Sequence, residues 1–150
     1  MDASAPRPPV PPSSSVRAAV PASGSRRIIA AILLVAVVAT GLAVHTLLPD
    51  TAATDIAGDM LYASAVYAGL VVVFPRWVPL LTGAVAAAWC IAIELFQLTG
   101  IPVALGAEFL PAMLVLGTVF DPRDLLVYVV TIALVAAVDA VVRVVARRAS

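Results

Sequence analysis

Glu94 and Gln97 stand three residues apart near the end of residues 78–98, a stretch otherwise apolar enough to cross a bilayer. A charged side chain at the centre of a membrane helix costs about 2.5 to 3.5 kcal/mol on insertion scales, so acids in this setting mark ligand sites, proton relays or buried pairs. At a spacing of three the carboxylate and the amide share one helix face, the first as an acceptor and the second as both donor and acceptor. His45, Asp59, Tyr62, Asp124 and Tyr128 fall at comparable depth in the other apolar segments. Together these seven residues form a candidate polar cluster that binds a ligand or holds helices in register. Acid–base catalysis would need such groups within about 3 Å of a reacting proton. The chain has no HExxH, no GxSxG and no phosphate-binding glycine loop to indicate one. No catalytic residue, metal ligand or cofactor is expected.

Each of these residues also has a purely structural explanation. Asp59 and Asp124 open helices, where a carboxylate complements the helix dipole. Tyr62, Tyr67 and Tyr128 suit the membrane interface, and His45 suits a hydrogen-bonded position there. Glu94 pairs with Arg123 or His45, or serves a site. Asp139, four residues before Arg143, reads as a local ion pair. On this reading nothing comparable to the polar cluster occupies the opposite half. Cys90, the single cysteine, excludes an intramolecular disulfide and reads as a packed thiol.

The elements that carry these groups follow from composition. With 63% hydrophobic and 12% charged residues, the chain lies far from the soluble average of about 45–50% apolar and 25% charged. Its 150 residues allow one domain, either a short bundle or one subunit of a homo-oligomer, with membrane lipids as partners. Zero formal net charge argues against nucleic acid. All nine basic residues are arginine, consistent with the coding bias of a GC-rich bacterial genome. Residues 1–25, rich in Pro, Ser and Ala, read as a disordered tail. Residues 26–150 read as an all-α transmembrane domain, a four-helix bundle with spans at about 28–48, 57–75, 78–99 and 124–143. Residues 101–120 hold Pro102, Gly106, Glu108, Pro111 and Gly117 and read as re-entrant or interfacial, buried in protein or lining a cavity.

Charge placement chooses that topology. Arg7, Arg17, Arg26 and Arg27 precede the first span, Arg76 lies between the second and third, and Arg143, Arg147 and Arg148 follow the last. Four crossings put all of them in the cytoplasm of a bacterial inner membrane, with both termini inside. The acids Asp50, Asp55, Asp59, Glu108, Asp121 and Asp124 then collect outside. In the third span Gly83, Ala87, Cys90, Glu94 and Gln97 recur at helical spacing, giving one face of small residues that ends in the polar pair. Asp124, Tyr128, Thr131 and Val135 share a face of the last span.

Gly58-Asp59-Met60-Leu61-Tyr62, Glu94-Leu95-Phe96-Gln97-Leu98 followed by Pro102, Leu116-Gly117-Thr118-Val119-Phe120, Asp124-Leu125-Leu126-Val127-Tyr128 and the late Asp139 resemble, in order and spacing, a family of small bacterial membrane proteins of unknown function, DUF2809. The resemblance runs from roughly Gly41 to Asp139. It implies an integral membrane protein without an assigned activity, in which Asp59, Glu94, Gln97, Asp124 and Tyr128 match the family's polar motif positions. His45 and Glu108 stand where the family shows arginines. Replacing two fixed guanidinium charges with a titratable ring and a carboxylate argues against an anion-binding role. The Glu-x-x-Gln followed by a later Asp is also similar, over a short stretch, to the VanZ-like proteins of the cell envelope.

Three functions fit this pattern. The favoured one is a non-enzymatic envelope protein whose cluster binds a lipid headgroup or envelope ligand. The alternatives are a small oligomeric transporter or proton-coupled permease, and a membrane enzyme acting on lipid-linked substrates.

Overall fold

The computed structural model describes residues 22–109, 115–117 and 119–148. Most of the expected tail, residues 1–21, lies outside the described residues, as do parts of the 101–120 segment. Among the described residues the helices are, in order, α1 (Ala22–Leu47), α2 (Ala52–Val73), α3 (Pro79–Gln97), α4 (Ile101–Glu108) and α5 (Pro122–Arg148). No strand occurs among the described residues. Four of the helices, α1, α2, α3 and α5, are long and apolar enough to cross a membrane, as the composition predicts. At 1.5 Å per residue the eight residues of α4 cover only about 12 Å, too little to span.

Local chemistry sets the ends. α1 begins at Ala22, inside the stretch expected to be tail. α2 begins at Ala52, five residues before the predicted start, because Thr51 and Thr54 form a reciprocal capping box that satisfies two backbone donors. α3 opens with Pro79 at its first position, where the missing N–H costs nothing. Gly100, at φ 70°, takes the left-handed conformation that lets the chain leave α3 and start α4.

α2, α3 and α5 pack against one another, and α1 lies along α2. The shared core comprises Ala63, Tyr67 and Val71 of α2, Ala86 and Cys90 of α3, and Tyr128 and Ile132 of α5, with Ala30 of α1. Small residues bring the backbones together, as expected where packing rather than hydrophobicity drives helix association. A Cβ added at Gly83 would lie 3.4 Å from Ala136 Cβ and 3.6 Å from Ile132 Cγ2, so α3 and α5 approach closely there. Large apolar side chains such as Val35, Leu80, Leu126 and Val138 point outward, the arrangement a lipid solvent requires.

Candidate functional site

The two polar clusters of the bundle lie at opposite ends. At the acidic end, Glu94 is 0% exposed and Gln97 8%, both on the inward stripe of α3 with Gly83, Ala86 and Cys90. Glu94 Oε1 accepts the backbone N–H of Asp121 at 2.7 Å. Gln97 Nε2 donates to the carbonyl of Leu116 at 2.9 Å. From α2, the Tyr62 hydroxyl donates to the carbonyl of Val115 at 2.9 Å and accepts from Trp89 Nε1 at 3.1 Å. Three side chains of α2 and α3 thus hold the backbone at Val115, Leu116 and Asp121, shortly before α5, at this end of the bundle.

Asp121, with Asp124 in the first turn of α5 and Asp59 of α2, adds further acids at this end. The Tyr128 hydroxyl donates to Asp59 Oδ1 at 3.3 Å, and its ring tilts against Tyr62 at 6.1 Å. Asp124 lies beside Asp59, and Asp121 and Asp124 both lie near Glu94. Facing these four carboxyl groups is one guanidinium, that of Arg123, 3.5 Å from Asp121 Oδ2 and 3.5 Å from Asp124 Oδ1. Such lengths give attraction without a hydrogen bond. Buried Asp59 Oδ2, Glu94 Oε2, Gln97 Oε1 and Asp124 Oδ1, together with Arg123 Nε, have no hydrogen-bond partner among the described residues. The end is therefore rich in acceptors and short of donors, a costly state for buried polar atoms.

Six of the seven predicted residues, Asp59, Tyr62, Glu94, Gln97, Asp124 and Tyr128, come together here. His45 does not. It is exposed on α1 and lines a separate crevice of about 170 Å³ with Gly41, Asp50, Thr54, Asp55 and Gly58. The expected partner of Glu94, Arg123 or His45, is replaced by the Asp121 amide, because the returning chain lays its backbone directly over α3. Tyr128 and Tyr67, expected at the interface, are only 6% and 3% exposed, since both hydroxyls find carboxylate partners inside the bundle. Trp89 enters this end with no signal in the sequence, whereas Asp121, expected among the outer acids, and Arg123, expected beside Glu94, both lie at it. Among the described residues no group of three or more His, Cys, Asp or Glu side chains is placed to hold a metal ion.

The opposite end corrects two expectations. Asp139 is not paired with Arg143 along its own helix. Arg26 of α1 reaches it instead, donating through Nε to Oδ1 at 3.1 Å and through Nη2 to Oδ2, while the Tyr67 hydroxyl donates to Oδ2 at 2.7 Å. Arg26 Nη1 donates to the carbonyls of Pro75 at 2.7 Å and Trp77 at 3.3 Å. Arg143 Nη1 donates to the Trp77 carbonyl at 2.8 Å, and the Phe74 and Trp77 rings stack at 4.2 Å. This half, expected to hold a local Asp139–Arg143 pair and nothing comparable to the acidic cluster, holds a clamp that joins α1, α2, α5 and the α2–α3 turn. The fork of a guanidinium matches a carboxylate across helices better than a neighbour one turn away can. The missed signal was the acid itself: a carboxylate inside an apolar helix needs a partner at its own depth.

Fold and clusters together define a small multi-pass membrane protein with one self-satisfied polar end and one acceptor-rich end. A family model described as a protein of unknown function, DUF2809, matches residues 48–132, more than half of the chain, and the chain belongs to that family. The match contains every residue of the acidic end and neither Arg26 nor Asp139. No curated protein and no solved structure matches the chain.

Proposed function

We propose that this protein is a non-enzymatic envelope protein whose acidic end binds a primary ammonium group carried by a lipid headgroup or another envelope ligand. The observation that carries this reading is the set of buried acceptors without donors, Asp59 Oδ2, Glu94 Oε2, Gln97 Oε1 and Asp124 Oδ1. An ammonium brings three donors and one positive charge to a place with four carboxyl groups and a single arginine. Arg123 is the resident counter-ion, held loosely at 3.5 Å and 38% exposed. An incoming ammonium displaces it and makes the shorter bonds that it does not.

The orientation belongs to the same proposal. Arg26, Arg27, Arg76, Arg143, Arg147 and Arg148 belong to the end opposite the acids, and the positive-inside rule makes that end cytoplasmic. Both ends of the described chain then face the cytoplasm of a bacterial inner membrane, and the binding end faces out.

The test uses purified full-length protein in detergent, with ethanolamine and choline as probes and thermal shift or calorimetry as the readout. Ethanolamine, with N–H donors, should bind at least tenfold more tightly than choline, which has the charge and no N–H. Glu94→Gln should abolish the preference and Arg123→Gln should strengthen ethanolamine binding. Equal binding of the two probes, unaffected by Glu94→Gln, would sink the reading.

A further inference from the structure

α2 and α5, which the Tyr128–Asp59 hydrogen bond joins, also form between them an apolar groove of about 270 Å³, lined by Ile56, Met60, Leu126, Val130 and Leu134 among others. Ile56 and Met60 flank Asp59 in sequence, and Leu126 precedes Tyr128 by two residues, so the groove starts at the depth of the carboxyl groups. From Leu126 to Leu134 it follows α5 for about 12 Å by helical rise, toward the middle of the bundle. Met60, Leu126, Val130 and Leu134 are exposed along it.

Resting on the ammonium reading above, we infer that the ligand is an amine-headed membrane lipid bound as one molecule, its head at Asp59, Glu94 and Asp124 and one acyl chain along the α2–α5 groove. Two independent features converge on that occupant. The buried, unpartnered oxygens of Glu94 and Gln97 offer acceptors to a donor, and four carboxyl groups beside one arginine favour a donor that carries positive charge. The α2–α5 groove is lined by six apolar side chains and Thr131, a surface that suits hydrocarbon and that a free amine would leave uncovered. An amine-headed lipid carries both parts, separated by the short polar backbone that the partly exposed Asp59 borders.

The experiment measures lipid retained by the full chain in native mass spectrometry from mixed vesicles of phosphatidylethanolamine and phosphatidylglycerol, alongside ethanolamine binding in detergent. Val130→Trp fills the groove from a lipid-facing position and leaves the carboxyl groups untouched. It should lower phosphatidylethanolamine retention at least tenfold and leave ethanolamine binding unchanged; Leu134→Trp makes the same test if the first variant does not fold. Unchanged retention in a folded Val130→Trp or Leu134→Trp protein overturns the groove assignment while the ammonium reading stands. Retention that resists Glu94→Gln, or absence of ethanolamine binding by the unmodified chain, overturns the ammonium reading and the lipid assignment with it.

Discussion

The two ends of this bundle are built from the same three residue types placed in mirror order. At one end an aspartate on α5, Asp139, meets a tyrosine on α2, Tyr67, and the arginine Arg26. At the other an aspartate on α2, Asp59, meets a tyrosine on α5, Tyr128, with Arg123 nearby. The outcomes differ. Both oxygens of Asp139 are occupied, one of them twice, and the arginine's remaining donor goes to backbone carbonyls. Asp59 has one long bond and one bare oxygen. The difference is one of stoichiometry: one carboxylate against two arginines makes a closed clamp, whereas four carboxyl groups against one arginine leave acceptors over. A polar cluster in a membrane is thus classified by its unmatched atoms rather than by its residue types.

The largest way to break this contrast is to open the clamp. Asp139→Asn leaves Arg26 without its counter-charge and should cost about 3 kcal/mol of stability, as expected when one partner of a buried pair is removed. Unfolding in detergent reads the loss, and ethanolamine binding should stay as it was. A variant of normal stability that has lost ethanolamine binding would show that the clamp is part of the site. Smaller effects sharpen the contrast. Gly117 sits at φ 65°, where an added Cβ would collide with the Gln97 amide, so Gly117→Ala should cost about 2 kcal/mol and loosen the segment held by Gln97. Faster hydrogen exchange near Leu116 is the measure, and unchanged exchange would detach that segment from the acidic end. Tyr67→Phe removes one hydrogen bond to a charged acceptor and should cost about 1.5 kcal/mol, again without touching the amine site; a neutral result in unfolding would mean that Arg26 alone satisfies Asp139.

Much of this was legible in the residues. Apolar length gave the four spans, and the spacing of Gly83, Cys90, Glu94 and Gln97 gave the buried face of α3, because helical periodicity is a local property. Depth also brought Asp59, Tyr128 and Glu94 together, since antiparallel helices of similar length put their ends at the same level. What could not be read was pairing across helices. Asp139 has an arginine one turn away in sequence, and only the packing of α1 along α2 shows that Arg26 approaches instead. His45 has the right depth on the wrong helix, for α1 lies outside the α2–α3–α5 triad. Asp121 lies just before α5 and Arg123 in its first turn, and no periodicity encodes that the Asp121 amide rather than the Arg123 guanidinium lands on Glu94.

Glu94→Gln is the smallest expected change in stability and the most informative in sign. The new side chain keeps an oxygen for the Asp121 amide and replaces the unpartnered Oε2 with an NH2 group facing Asp124 and Tyr128. It also removes one of four clustered carboxyl groups. A donor gained where an acceptor was stranded should raise stability by up to about 1 kcal/mol, while ethanolamine binding falls. Asp139→Asn, the same carboxylate-to-amide exchange at the other end, destabilises. Opposite signs for one chemical change would mark the acidic end as a place where folding is compromised in favour of a ligand. A loss of stability at Glu94 as large as that at Asp139 would instead make it a second clamp, and the contrast between the two ends would disappear.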